Sequence, residues 1–209
     1  MKKSNTFQAS MWAIYSAAIV AMNVLAAKQF DFLGLTVTCG ILVSGFVFIA
    51  QDLVTELYGA KQSRKMITVC YAVALVMVLL FQLAIYIPAS QFWFSQEAFE
   101  TVLKTTLRIT IASITAYYCG SFANVYIMGK LKERFPKSLF VRAVSSTVVG
   151  QLLDNAVFAV VAFAGVLPGQ AIGTMVIGGT LIEIVTEIVC YPILKVIIKA
   201  REQHETETA

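Results

Sequence analysis

The sequence predicts an all-α, polytopic membrane protein: one domain, a bundle of six transmembrane helices, with the N- and C-termini cytoplasmic. Three observations carry that prediction. The 209 residues are 58% hydrophobic and only 13% charged, with a mean hydropathy of +0.78, whereas soluble domains carry roughly 25% charged residues. Long apolar stretches recur, each near the roughly 20 residues a helix needs to cross a hydrocarbon core of about 30 Å. The basic residues then concentrate on alternate loops.

The spans fall at 8–27, 36–58, 65–88, 105–129, 139–165 and 171–198. They must be helical, because backbone groups in lipid need partners within their own segment and no period-2 barrel pattern is present. The first span follows Lys2 and Lys3 and could pass for a cleaved signal peptide. Its length and its internal Asn23 favour an uncleaved helix. With the N-terminus inside, the inner segments hold thirteen lysines and arginines (Lys2, Lys3, Lys61, Arg64, Lys65, Lys130, Lys132, Arg134, Lys137, Arg142, Lys195, Lys199, Arg201) against Lys28, Lys104 and Arg108 outside. The domain is expected to occupy 1–200, with 201–209 a disordered cytoplasmic tail. The spans leave no room for a soluble catalytic domain.

Several function classes drop out. The net charge of +4 describes an inner rim facing anionic lipid head groups, not a nucleic-acid surface. Cys39, Cys70, Cys119 and Cys190 are scattered without a C-x-x-C pair and the single His204 lies in the tail, so neither a metal site nor a redox motif is expected. No G-x-x-x-x-G-K-[ST] loop is present, and no nucleophile–base pair or cofactor motif supports an enzyme.

What remains is a set of polar stripes on apolar helices. Ser44, Phe48, Gln51, Asp52, Thr55 and Glu56 follow a three-four spacing on the second span, as do Ser146, Gly150, Gln151, Asp154 and Asn155 on the fifth. Thr180, Glu183, Glu187 and Tyr191 repeat it on the sixth, and Tyr117, Ser121 and Asn124 on the fourth. Such stripes must face the bundle interior, since a carboxylate in mid-bilayer costs roughly 2.5 kcal/mol or more. At 1.5 Å per residue, Asp154, Gln151 and Glu183 fall near the midplane, and Asp52, Glu56, Glu187, Asn124 and Arg142 in the inner third. The inner acids could simply balance Arg142, Arg64 and Lys65 at head-group level. Asp154 has nothing basic within two turns of its own helix.

Two internal echoes accompany the stripes: D-L-V-T-E-L (52–57) with E-I-V-T-E-I (183–188), and G-S-F-A-N (120–124) with G-Q-L-L-D (150–154). They fit either an old duplication or chance in an apolar alphabet. Midplane carboxylates and amides mark a path or site for a polar solute or ion. Ionised carboxylates only accept hydrogen bonds, so they favour a cation or a ligand with paired N–H donors, such as a guanine-like edge. A cation or proton channel would use the same acids.

The chain resembles the queuosine precursor transporters, six-helix bacterial inner-membrane proteins related to vitamin-uptake transporters. The resemblance rests on N-V-L-A-A-K (23–28), F-x-x-x-D-L-V-T-E-L-Y-G-A-K-x-x-R (48–64) and R-A-V-S-S-T-V-V-G-Q-L-L-D (142–154). It implies import of a 7-deazaguanine, 7-cyano- or 7-aminomethyl-7-deazaguanine, for a tRNA modification, and it carries over to Asn23, Lys28, Asp52, Glu56, Tyr58, Gly59, Arg64, Arg142, Ser146, Gln151 and Asp154. Ser121 and Asn124 stand where the family often has Gln and Asp, and the sixth span matches least, so Glu183 rests on the residues alone.

The resulting assignment takes Asn23, Gln151, Asp154, Asn155 and Glu183 as substrate-binding, and Asp52, Glu56, Asn124, Arg142 and Glu187 as gate or coupling residues. No catalytic residue, metal or cofactor is expected. The partners are the small-molecule substrate and membrane lipids; a homodimer and an energy-coupling module are left open. As an alternative to a stand-alone carrier, the chain could be the substrate-binding subunit of an energy-coupling-factor importer, for which Ala13, Ala17 and Ala21 offer a small-residue docking face.

Overall fold

The computed structural model describes residues 2–134 and 139–207, without the side chains of 2–5, 125, 128, 132–134, 139–144 and 201–207. Its elements are α1 (Lys2–Leu25), β1 (Gln29–Phe32), β2 (Leu35–Thr38), α2 (Ile41–Tyr58), α3 (Ala60–Tyr86), α4 (Gln96–Leu103), α5 (Thr106–Arg134), α6 (Leu139–Phe163) and α7 (Gly169–Glu207). The six long helices correspond to the six expected spans. Four of them, α1, α2, α3 and α6, contain stretches among the described residues that are long and apolar enough to cross a membrane.

Three features depart from the expected boundaries. The second span was expected from residue 36, but 35–38 pairs as a strand with 29–32 in an antiparallel hairpin and the helix starts at Ile41. The turn is built by Leu33 (φ 51°) and Gly34 (φ 79°), and a two-residue turn with both central residues at positive φ matches the natural twist of a hairpin. Between α3 and α5 lies the short helix α4, where a loop was expected. Its ends are tied down by side-chain amides: Gln82 donates to the Leu103 carbonyl, and Gln96 to that of Ile85. Finally, α7 continues to Glu207, into the segment expected to be disordered. Arg201, Glu202 and Gln203 are good helix formers, and extending an existing helix avoids the nucleation cost.

Glycines set the closest approaches. Gly59 (φ 85°) makes the corner between α2 and α3 without an intervening loop. A Cβ on Gly178 of α7 would lie 2.8 Å from Val37 Cγ1 and 3.1 Å from Leu35 Cβ, so only glycine lets β2 lie on that helix. Helices α5 and α6 share the most extensive helix–helix contact. They run antiparallel: Arg108 Nε and Nη2 donate to the carbonyls of Val161 (2.7 Å) and Ala164 (2.6 Å), which supplies a cation to the carbonyl end of α6. Two buried clusters hold the fold. One joins α1, α2 and α3 around Tyr15, Ile19, Val54, Met66 and Ala74, and the other joins the end of α1 to α5, α6 and α7 around Ile109, Ala112, Ala159 and Phe163.

Candidate functional site

The two apolar clusters border a cavity of about 640 Å³, lined by residues of all six long helices. Tyr15 and Asn23 come from α1, Gln51 and Asp52 from α2, Tyr71 from α3, Tyr117 and Asn124 from α5, Gln151, Asp154 and Asn155 from α6, and Glu183 and Glu187 from α7. All five residues assigned to substrate binding therefore line one space. Of the five assigned to the gate, Asp52, Asn124 and Glu187 line it as well.

The wall between α6 and α7 is a ladder. Asn155 Nδ2 donates to Glu183 Oε2 at 2.6 Å, and Gln151 Nε2 donates to Glu187 Oε2 at 3.2 Å. Amides four residues apart on one helix meet carboxylates four apart on the other, in reverse order, as an antiparallel pair of helices dictates. Gly179 leaves the room that the Asn155 side chain fills. Asn155 Nδ2 also reaches the Gln151 carbonyl at 3.1 Å. The Gln151 Oε1 atom is buried, with no donor among the described residues.

Asn23 is occupied differently. Its Nδ2 donates to Thr110 Oγ1 (3.1 Å) and its Oδ1 accepts from Ser113 Oγ (2.9 Å), both buried. This pins α1 to α5 and gives Asn23 a positioning role in the cavity wall. Thr110 and Ser113 escape sequence reading because hydroxyls on apolar helices commonly bond their own backbone; only the facing Asn23 marks these two. The aromatic lining escapes it for another reason. With 8 tyrosines and 14 phenylalanines in the chain, nothing distinguishes Tyr15, Tyr71 and Phe158, which line the cavity beside Phe48 and Tyr117 of the stripes. Tyr71 and Tyr117 are in ring contact, with centroids 5.7 Å apart.

Asp154 and Asp52 line the cavity and accept no hydrogen bond from any described residue, and each lies within electrostatic reach of another acid, Glu183 and Glu187 respectively. Close to Asp154, a Cβ on Gly120 would lie 2.9 Å from Asp154 Cβ and 2.8 Å from the Gly150 carbonyl, while one on Gly150 would lie 3.0 Å from Asn124 Cβ. Each glycine thus makes room for the polar residue at the fifth position of the other's motif. The echo between 120–124 and 150–154 is a reciprocal helix contact.

Glu56 stands apart. It is exposed and lines a second cavity of about 710 Å³ with Tyr191, Lys195 and Lys199, where Lys195 Nζ sits 4.7 Å from the centre of the Tyr191 ring. Asp52 and Thr55 line both cavities. The Arg142 side chain lies outside the described residues.

A family described as "Putative vitamin uptake transporter" matches residues 38–197. A "Probable queuosine precursor transporter" of Bacillus subtilis (strain 168) is 30% identical over 178 residues, 84% of this chain and 77% of the relative. A "Probable queuosine precursor transporter" of Haemophilus influenzae is 32% identical over 141 residues, 66% of this chain and 55% of the relative. The "Queuosine precursor transporter" of Escherichia coli (strain K12) is 26% identical over 167 residues, 77% of this chain and 72% of the relative. No solved structure matches the chain. A cavity holding acidic and amide side chains inside a bundle of apolar helices and a match over most of the chain agree: the chain belongs to the vitamin uptake transporter family, membrane transporters and not enzymes, whose relatives here bear the name queuosine precursor transporter.

Proposed function

We propose that this chain is a stand-alone, multi-pass carrier of the bacterial inner membrane that imports a 7-deazaguanine precursor of queuosine for tRNA modification. In this reading α1, α2, α3, α5, α6 and α7 all cross the membrane, as a single domain with both termini cytoplasmic. One observation carries it: the 640 Å³ cavity presents carboxylates and an unpartnered Gln151 oxygen beside several tyrosines. A guanine-like ring offers paired N–H donors to such acceptors and a flat face to the aromatic rings.

Within it, Gln151, Asp154, Asn155 and Glu183 hold the substrate and Asn23 fixes the wall. Asp52, with its place in both cavities, is the threshold between the site and an inner vestibule, and Glu56, Glu187, Asn124 and Arg142 act around that threshold. Glu56→Gln should slow transport while sparing equilibrium binding, measured on the same purified protein; loss of binding in that variant would move Glu56 into the site. Transport itself is tested in cells unable to make 7-deazaguanines. Expression of this chain alone should restore uptake of the labelled base and the modified base in tRNA, and failure to do so despite normal membrane insertion would refute the reading.

A further inference from the structure

Charge is the least balanced property of the cavity. Asp52, Asp154, Glu183 and Glu187 line it, and no lysine, arginine or histidine does so among the described residues. Lys195 and Lys199 line the adjoining inner cavity instead. Several of its donors are engaged within the protein, Asn155 on Glu183 and the Gln151 carbonyl, Gln151 on Glu187, Asn23 on Thr110, and Ser113 on Asn23, while Gln51, Ser121 and Asn124 also line the space. Among its acceptors, Asp52 and Asp154 receive no hydrogen bond from described residues, and Gln151 Oε1 is buried without a donor.

The acids also fall into two layers. Asn155, next to Asp154 on α6, bonds Glu183 at one level, and Gln151, one turn away, bonds Glu187 at the other. Four residues separate the two glutamates on α7, about 6 Å at the helical rise. A ligand filling this space must offer donors at both levels. The planar N–H edge of a deazaguanine serves one. A neutral acceptor at the other, such as a nitrile, would point its lone pair at carboxylates, whereas an ammonium would meet them with three N–H donors and a positive charge.

We infer that the cavity selects the cationic member of its ligand class, a deazaguanine carrying a protonated primary amine, over the neutral nitrile. This rests on the proposed transport of a deazaguanine and adds a charge requirement to it. The test is equilibrium binding to the purified wild-type protein of 7-aminomethyl-7-deazaguanine, the 7-cyano compound, and a neutral 7-hydroxymethyl analogue that keeps the size of the amine. One charge-assisted bond corresponds to about a ten- to hundred-fold difference in affinity, so the amine should bind at least about ten-fold tighter than either neutral ligand. Glu187→Gln should shrink that ratio by weakening the amine more than either neutral ligand. Equal or tighter binding of the nitrile or the hydroxymethyl analogue would overturn the charge requirement and leave deazaguanine transport standing. Binding of none of the three by folded protein would overturn both. The wild-type ratio is decisive even if the variant fails to fold.

Discussion

Replacing Asp154 by Asn should weaken deazaguanine binding about ten- to a hundred-fold in a protein that folds normally. The side chain lines the cavity and accepts nothing from a described residue, so its oxygens are available to a ligand. Asn keeps the shape, which matters because the Asp154 Cβ is held close against Gly120. It replaces one acceptor with a donor, which then confronts the ligand's own N–H. A hydrogen bond to a charged group is worth roughly 1.5–3 kcal/mol, which sets the expected loss. Removing the charge also relieves its repulsion with Glu183, so thermal stability should hold or rise. Calorimetric binding and melting on the same preparation separate the two effects, and an unchanged Kd would remove Asp154 from the site.

A larger structural effect is expected from Gly120→Val. A Cβ at Gly120 would already lie 2.8 Å from the Gly150 carbonyl and 2.9 Å from Asp154 Cβ. Neither is the movable end of a flexible side chain, so α5 and α6 would have to separate. Overpacking typically costs about 1–3 kcal/mol, occasionally more, and here it also displaces a residue of the site. Transport should be lost together with much of the stability. Gly129 on the same helix has open space where its Cβ would go, so Gly129→Val should be nearly silent. Similar behaviour of the two variants, in melting temperature and uptake, would contradict the close crossing.

Much of this was legible before any coordinates. Hydropathy located the long helices to within a few residues at most ends, and four of them, α1, α2, α3 and α6, have the length and apolarity that a membrane demands. The three-four stripes brought Gln151, Asp154, Asn155, Glu183, Glu187, Asn124 and Asp52 to one cavity, because burying a carboxylate in lipid is costly enough to force it inward. The hairpin was hidden, since Leu35–Thr38 runs into the apolar start of α2. Its signal was local: alternation in 29–32, then Leu33-Gly34, then alternating threonines. Partnerships were not legible at all. The Gln151–Glu187 and Asn155–Glu183 ladder, and the closure of Asn23 on Thr110 and Ser113, depend on which helices are neighbours, and periodicity is silent on that. The echo of 120–124 in 150–154 was visible, but its meaning as a reciprocal glycine contact emerges only once α5 and α6 run antiparallel. Glu56 continues the same stripe as Asp52 one turn further on, yet falls in the other cavity.

The proposal that one chain suffices for transport is tested most directly in liposomes containing only the purified protein. A stand-alone carrier should bring labelled 7-aminomethyl-7-deazaguanine into the lumen, with and without an imposed pH gradient, and Asp154→Asn should abolish that uptake at low substrate concentration. Stimulation by an alkaline lumen, lost in Glu56→Gln or Glu187→Gln, would identify the carboxylates that couple it to protons. The exposed face of Ala13, Ala17 and Ala21 on α1 is where a helix of an energy-coupling partner would dock. Tight binding without any uptake, converted to transport only when an ATP-hydrolysing module is added, would contradict the stand-alone carrier and make this chain a binding subunit.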